Sequence, residues 1–96
     1  MVSLSGDISN AAVLSALIRA ETLIMFLSAK GVQVKSVSLR HAQPVIRIAR
    51  HAWCDEIKKQ GRARFDHTGN DRFGRFRQGV YLDESGCRVV WSESIH

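Results

Sequence analysis

The stretch NAAVLSALIRAETLIMFLSAKG, residues 10–31, decides the fold that this 96-residue chain is expected to adopt. Its apolar residues recur at helical spacing over five turns. Asp7, Ser9 and Asn10 are candidate N-caps, because their side-chain oxygens can accept orphan backbone N–H groups. Gly31 suits the position just after a helix. The pattern predicts a single long helix that begins at Asn10 and ends before Gly31.

The predicted helix is apolar on two faces, and charge occurs in it only at Arg19, Glu21 and Lys30. A helix that packs on one side alone has a broad polar face, which this helix lacks. Either the monomer buries the second apolar face, or that face forms a homodimer or binds a partner protein. The first face consists of Val13, Leu17, Ala20, Ile24 and Leu27, and the second consists of Leu14, Ile18 and Met25.

The segment after the helix predicts a β-hairpin. Residues 32–40 form its first strand, in which the apolar positions change phase near residues 35–36, as at a bulge or an edge. Pro44 opens the second strand, residues 45–49, where it is tolerated because a strand start needs no N–H donor.

The remaining chain predicts a second hairpin and, before it, an ambiguous segment. Residues 51–60 have helical spacing and a possible stop at Gly61, although a continued strand fits them too. Residues 67–71 have the composition of a turn, and residues 76–91 alternate around a second turn. We therefore expect one α+β domain, residues 1–96, with the long helix packed on an antiparallel sheet of about four strands and with a possible short second helix.

Positive charge is concentrated in the middle of the chain. The net charge is +5 and the isoelectric point is about 9.9. Residues 40–82 contain ten basic and four acidic residues, whereas residues 1–39 and 83–96 have net charges of +1 and −2. One basic segment between nearly neutral flanks indicates a surface that attracts an acidic partner.

The segment KKQGRARFDHTGNDRFGRFR, residues 58–77, alternates arginine with phenylalanine. Arginine pairs with phosphate oxygens, and aromatic rings stack on unpaired bases, so the segment is a candidate nucleic-acid surface. Alternatively, it is a solvated hairpin in which Phe73 and Phe76 pack on the first helix. If residues 73–77 are a strand, Phe73, Arg75 and Arg77 share one face. The candidate binding residues are Arg62, Arg64, Arg72, Phe73, Arg75 and Arg77.

Motifs for catalysis, metal binding and membrane insertion are lacking, so we expect no enzyme activity and no cofactor. The set His51, Cys54, His67 and Cys87 has the chemistry of zinc ligands, but its spacing is irregular and we expect no metal site. Two cysteines are typical of a cytoplasmic protein with free thiols, although a single disulfide remains an alternative. The longest apolar stretch, residues 13–27, is too short and too charged for a membrane span.

Two segments resemble small accessory proteins of bacteriophages and prophage-like elements. They are GVQVKSVSLRHAQPVIRIARHAW, residues 31–53, and GCRVVW, residues 86–91. This resemblance implies a regulatory protein that binds DNA or blocks another protein. Two functions follow as hypotheses. The first is a small regulatory nucleic-acid-binding protein that uses the arginines, and the second is an antirepressor or inhibitor that binds an acidic partner protein through the helix and the basic patch.

Overall fold

The structure is a computed structural model that describes residues 2–5 and 9–95. It contains two helices and six strands, and five of the strands follow the long helix. In chain order, the elements are β1 Val2–Ser5, α1 Asn10–Ala29, β2 Val34–Arg40, β3 Gln43–Ile48, α2 Ala52–Lys59, β4 Ala63–Asp71, β5 Gly74–Leu82 and β6 Arg88–Ser94.

The α+β class and the long helix are confirmed, but the sheet differs from the prediction. Its order is β1-β2-β3-β6-β5-β4, and it is mixed, because β1 runs parallel to β2 and β3 runs parallel to β6. The parallel pair arises because α2 and the β4–β5 hairpin intervene between β3 and β6 and return the chain in the same direction. The expected count of about four strands was too low, and the expectation of a purely antiparallel sheet was wrong.

Helix α1 begins and ends with local signals in its sequence. The Ser9 side chain accepts a hydrogen bond from the Ala12 N–H at 3.2 Å, which makes Ser9 the N-cap. Gly31 has a φ of +79°, the left-handed conformation that glycine adopts readily after a helix. Of the other candidate caps, Asn10 is the first helical residue and Asp7 lies outside the described residues.

Both helices pack on one face of the sheet, which we call the inner face. Helix α1 contacts β2 and β3, and it buries Ala16, Ala20, Leu23 and Leu27. The predicted first apolar face is therefore correct at Ala20 and Leu27, whereas Val13, Leu17 and Ile24 are only half-buried. The buried positions are spaced by three or four residues, but they are centred one position away from the predicted stripe.

The short second helix is confirmed as α2, and it completes the core. The His51 Nδ1 accepts the Trp53 N–H at 3.0 Å and caps the helix. The Trp53 ring then lies edge-on to Phe26 and to Tyr81, with centroid distances of 6.2 and 5.6 Å. The core therefore links α1, α2 and β5 through aromatic contacts, whose edge-on geometry is the favourable one.

The two predicted hairpins are present, and so is the bulge. Strands β2 and β3 pair antiparallel with a register shift between Val34 and Ser36, and β5 and β6 pair antiparallel around the second turn. The turn predicted at residues 67–71 was wrong, since these residues belong to β4 and the chain turns at Arg72 and Phe73 instead. Strand β4 is largely solvent-exposed, so its polar residues can pair with β5 at no desolvation cost.

The opposite side of the sheet, the outer face, carries a different set of side chains. Residues paired across strands lie on the same face, so the registers define it. Neither helix packs on this side, and its central valines, Val80 and Val90, are nevertheless buried. One row across the outer face consists of Ser36, Arg47, Val90, Val80 and Arg64, and the neighbouring row consists of Ser38, Val45, Arg88 and Leu82.

Candidate nucleic-acid interface

The tip of the β4–β5 hairpin presents two of the predicted site residues to solvent. These are Arg72 and Phe73, which lie in the turn between the two strands. Asp71 and Gly74 shape this turn, because the Asp71 carboxylate accepts the Phe73 N–H at 2.8 Å and Gly74 has a φ of +117°. Phe73 is 81% exposed, and the Arg72 guanidinium carbon lies 5.0 Å from its ring centroid. Phe73 therefore does not pack on α1, and it lies in the turn rather than on a strand face with Arg75 and Arg77.

Arg77 lies on the inner face and already has two partners. Its guanidinium carbon is 3.8 Å from the ring centroid of Phe65, and the Lys58 Nζ approaches the same ring to 4.7 Å. One Arg77 nitrogen lies 3.7 Å from a carboxylate oxygen of Glu93, which is the cross-strand neighbour of Arg77. Arg77 thus contributes to the packing of the hairpin against the end of the core.

Glu93 is the buried acid that organises this cluster. Its side chain is 8% exposed, and it accepts hydrogen bonds from the Trp91 Nε1 at 2.8 Å and the Lys58 Nζ at 2.9 Å. Burial raises the pKa of Glu93, but the hydrogen bonds from Trp91 and Lys58 outweigh it and leave the pKa below its ordinary value. The carboxylate therefore stays ionised and balances part of the charge of Lys58 and Arg77.

Arg62 is also engaged, whereas the other predicted arginines are not. Its guanidinium donates to the Tyr81 Oη at 2.7 Å and lies 5.2 Å from the Tyr81 ring centroid. Arg64, Arg72 and Arg75 are exposed and form no hydrogen bond or ion pair with any described residue. The structure thus divides the six predicted residues into Arg62 and Arg77, which stabilise the fold, and Arg64, Arg72, Phe73 and Arg75, which face solvent.

The same division runs through all ten arginines of the chain. The partnered ones bind backbone carbonyls, a tyrosine, a glutamine or a carboxylate, and the rest have no polar partner among the described residues. The partnered group is Arg19, Arg50, Arg62, Arg77 and Arg88, and the unpartnered group is Arg40, Arg47, Arg64, Arg72 and Arg75.

Three unpartnered arginines, Arg40, Arg47 and Arg64, belong to the outer face. Sequence reasoning did not select Arg40 or Arg47. The signal was present, because Val37 and Leu39 are apolar and Ser38 and Arg40 alternate with them, which places Arg40 on the solvated side. Asp66 is the acid at the bulge of β4, and it pairs with Arg88 and accepts a hydrogen bond from Gln78. Because Asp66 pairs with Arg88, the three arginines have no counter-charge within residues 2–5 and 9–95.

A cleft of about 290 Å³ opens at one end of this surface. The side chains of Arg62, Arg64 and Arg88 line it, together with the apolar Val80 and Leu82. Arg62 is held by Tyr81 and Arg88 by Asp66, so Arg64 is the lining arginine whose guanidinium has no polar partner among the described residues. Arg64 can therefore pair with an anion beside the apolar part of the cleft.

Towards the hairpin tip, the outer face carries an aromatic pair. Phe76 on β5 is half-buried, and its cross-strand neighbour on β4 is Gly69. The His67 ring lies edge-on to the Phe76 ring with a centroid distance of 6.1 Å. A Cβ at Gly69 would lie 2.8 Å from the Phe76 Cζ, so the missing side chain makes room for the ring. Phe76 therefore lies on the side opposite the helices, and it does not pack on α1.

The second apolar face of α1 is exposed. Leu14, Ile18 and Met25 are each between 61% and 65% exposed, and Phe26, which was not predicted as an interface residue, is 46% exposed. By length and composition the helix could cross a membrane, because it extends beyond residues 13–27, and the expectation that this segment is too short and too charged was wrong. Its mean hydropathy is 1.7, and 22% of that segment is buried against the rest of the protein. So large an exposed apolar surface is unusual on a helix of a monomeric protein.

The two cysteines are buried and free, which excludes a disulfide between them. Burial raises the pKa of the Cys54 thiol, so it remains protonated and acts as a small apolar side chain. Within residues 2–5 and 9–95, no three His, Cys, Asp or Glu side chains come together as metal ligands would.

Comparisons with known proteins do not connect the chain to a family. No protein-family model matches it, and searches of curated proteins and of solved structures find no similar protein.

Proposed function

We propose that this protein is a small regulatory protein that binds nucleic acid through its unpartnered arginines. The observation that carries the proposal is the division of the arginines, since five have intramolecular polar partners and five have no polar partner among the described residues. An arginine without a partner adds positive charge and does little for the fold. Phosphate oxygens are its strongest external partners, because they accept paired hydrogen bonds from the guanidinium group.

The distribution of these arginines also favours an extended anion. Arg47 and Arg64 stand in one row of the outer face, separated by three strand spacings or about 14 Å. Arg72 extends the positive charge to the hairpin tip, and Arg75 adds positive charge close to the tip on the opposite face of β5. A single small anion contacts only one of these sites at a time, whereas a polyphosphate backbone contacts several together.

A salt-dependent binding experiment tests this proposal. The protein is titrated against labelled duplex DNA, single-stranded DNA and RNA at low and near-physiological salt. We expect binding that weakens steeply with salt, and we expect the Arg47→Gln/Arg64→Gln variant to reduce the slope of log K against log salt by about 1.4 to 1.8. Weak binding to all three probes that disappears at physiological salt would contradict the proposal.

A matched control separates specific contacts from net charge. The Lys30→Gln/Lys59→Gln variant loses the same charge at exposed positions on the two helix ends. We expect it to keep most of the affinity of the wild-type protein. Equal losses in the two double variants would show that only the net charge matters and that the outer face is not the contact surface.

The exposed face of α1 favours a second candidate function, a protein-binding regulator of the antirepressor or inhibitor kind. Leu14, Ile18 and Met25 would be its apolar anchors, with the arginines meeting an acidic partner surface. The same three side chains could instead form a homodimer. Light scattering of the wild-type protein and of an Ile18→Glu variant distinguishes the two, because a homodimer that uses this face would dissociate in the variant.

A further inference from the structure

We infer that the outer face binds nucleic acid as a single strand and that Phe76 is a stacking site for an unpaired base. This inference rests on the proposed function and deepens it by naming the class of nucleic acid. Its basis is the place of Phe76 on the same surface as Arg40, Arg47 and Arg64, on the side of the sheet that neither helix covers.

The position of the Phe76 ring fits this role. The ring reaches across β4 above Gly69, where any side chain would collide with it, and it remains partly exposed. It is not part of the core between the sheet and the helices. His67 lies beside it, edge-on, and adds a second flat surface next to the ring. Unpaired bases stack on aromatic rings that a sheet presents to solvent, and the accessible part of the Phe76 ring offers such a surface.

The surroundings of Phe76 supply the phosphate contacts that such a site needs. On one side, Arg64 stands on β4 before the bulge, about 15 Å from Gly69 by strand rise. On the other side, Arg72 and the exposed Phe73 form the hairpin tip. A single-stranded nucleic acid that runs along the hairpin would meet Arg64 at the cleft, then the Phe76 ring and then the tip. A duplex keeps its bases stacked inside and cannot offer one to Phe76, so single strands are expected to bind more tightly.

The alternative role of Phe76 is to cover the bare backbone at Gly69. That role affects stability and leaves nucleic-acid preference unchanged. The two roles are separated by measuring, for each variant, both its melting temperature and its affinity for two probes. The probes are a fluorescein-labelled oligothymidine and the duplex that it forms with oligoadenine. The variants are Phe76→Leu, which removes the ring, and Phe76→Tyr, which keeps it.

We expect Phe76→Leu to weaken binding of the single strand by at least about fivefold, the lower end of what stacking one base contributes, and to leave duplex binding unchanged. Phe76→Tyr should bind the single strand like the wild-type protein. Single-strand affinity unchanged in Phe76→Leu would overturn the inference, and so would equal losses for single strand and duplex. In both cases, a loss of binding in Arg47→Gln/Arg64→Gln would still support the proposed function.

A second measurement needs only the wild-type protein, so it does not depend on how well a variant folds. An oligonucleotide with a fluorescent adenine analogue loses emission when the analogue stacks on an aromatic ring. We expect a decrease in emission when the wild-type protein binds. Binding without any decrease would overturn the stacking site, and an absence of binding to every probe would overturn the proposed function together with this inference.

Discussion

On the inner face of the sheet, Arg77 lies over the Phe65 ring and 3.7 Å from the Glu93 carboxylate, whereas on the outer face Arg47 and Arg64 have no polar partner among the described residues. The three residues are of one type, and strands of one sheet carry them. The difference lies in what faces them, because helix α2 brings Lys58 to Glu93 on the inner face and neither helix packs on the outer face. Arg77 is therefore expected to act in stability, and Arg47 and Arg64 are expected to act in binding.

The largest difference in stability between the two faces is expected when Gly79 on the inner face and Gly69 on the outer face are replaced by alanine. A Cβ at Gly79 would overlap the six-membered ring of Trp91, which is completely buried and has no room to move. We expect Gly79→Ala to lower the free energy of unfolding by about 3 kcal/mol or to prevent folding. A denaturant titration followed by circular dichroism measures this change.

Gly69→Ala is the matched substitution on the outer face. There the added Cβ would approach only the far end of the Phe76 ring, which can swing towards solvent. We expect a loss of about 1 kcal/mol, the cost of moving one side chain off its preferred rotamer. A larger loss at Gly69 than at Gly79 would mean that the outer face is packed as tightly as the core.

Glu93 and Asp66 each pair with an arginine, and removing the charge of the inner-face Glu93 should lower stability more than removing that of Asp66. Glu93→Gln removes the charge that balances Lys58 and Arg77, so we expect a loss of about 2 kcal/mol in the free energy of unfolding. Asp66→Asn removes the partner of Arg88 at a more exposed site, and we expect a loss below about 1 kcal/mol. Equal losses, measured by denaturant titration, would remove the distinction between the two clusters.

The pH dependence of stability provides an independent test of Glu93. Because its pKa in the folded protein lies below the ordinary value of 4.5, its stabilising contribution is complete above that value and disappears as the pH falls through the folded-state pKa. We expect the wild-type protein to lose more stability than Glu93→Gln when the pH is lowered below 4.5. Parallel curves for the two proteins would show that Glu93 is not a coupled buried acid.

Local signals in the sequence were enough for helix α1 and for the β2–β3 and β5–β6 hairpins, and insufficient for the rest of the sheet. Helix α1 has its cap at Ser9 and its stop at Gly31, so its limits can be predicted from neighbouring residues. Strand β4 contains Asp, Thr, Gly and Asn, which favour turns, and it forms a strand only because β5 pairs along its full length. The parallel pairing of β3 with β6 joins distant segments, and no local pattern specifies it.

The candidate site was predictable to a similar degree. The basic segment was identified from composition, and Arg64, Arg72, Phe73 and Arg75 are exposed in the structure. The sequence could not separate Arg75 from Arg77, because the difference depends on Glu93, a partner on another strand. Phe76 was assigned to one face of its strand, but whether that face meets the helices or solvent depends on the order of all six strands.

The smallest effect on stability is expected where the effect on binding is largest. Arg47 and Arg64 make no polar contact within the described residues, so we expect Arg47→Gln/Arg64→Gln to change the free energy of unfolding by less than about 0.5 kcal/mol. Thermal and denaturant unfolding of this variant should therefore match those of the wild-type protein, even where its nucleic-acid affinity has fallen. A clear destabilisation would indicate that these arginines cover Val80 and Val90 with their aliphatic stems and belong to the fold. The two faces would then differ in the kind of contact that arginine makes there, polar on the inner face and apolar on the outer face.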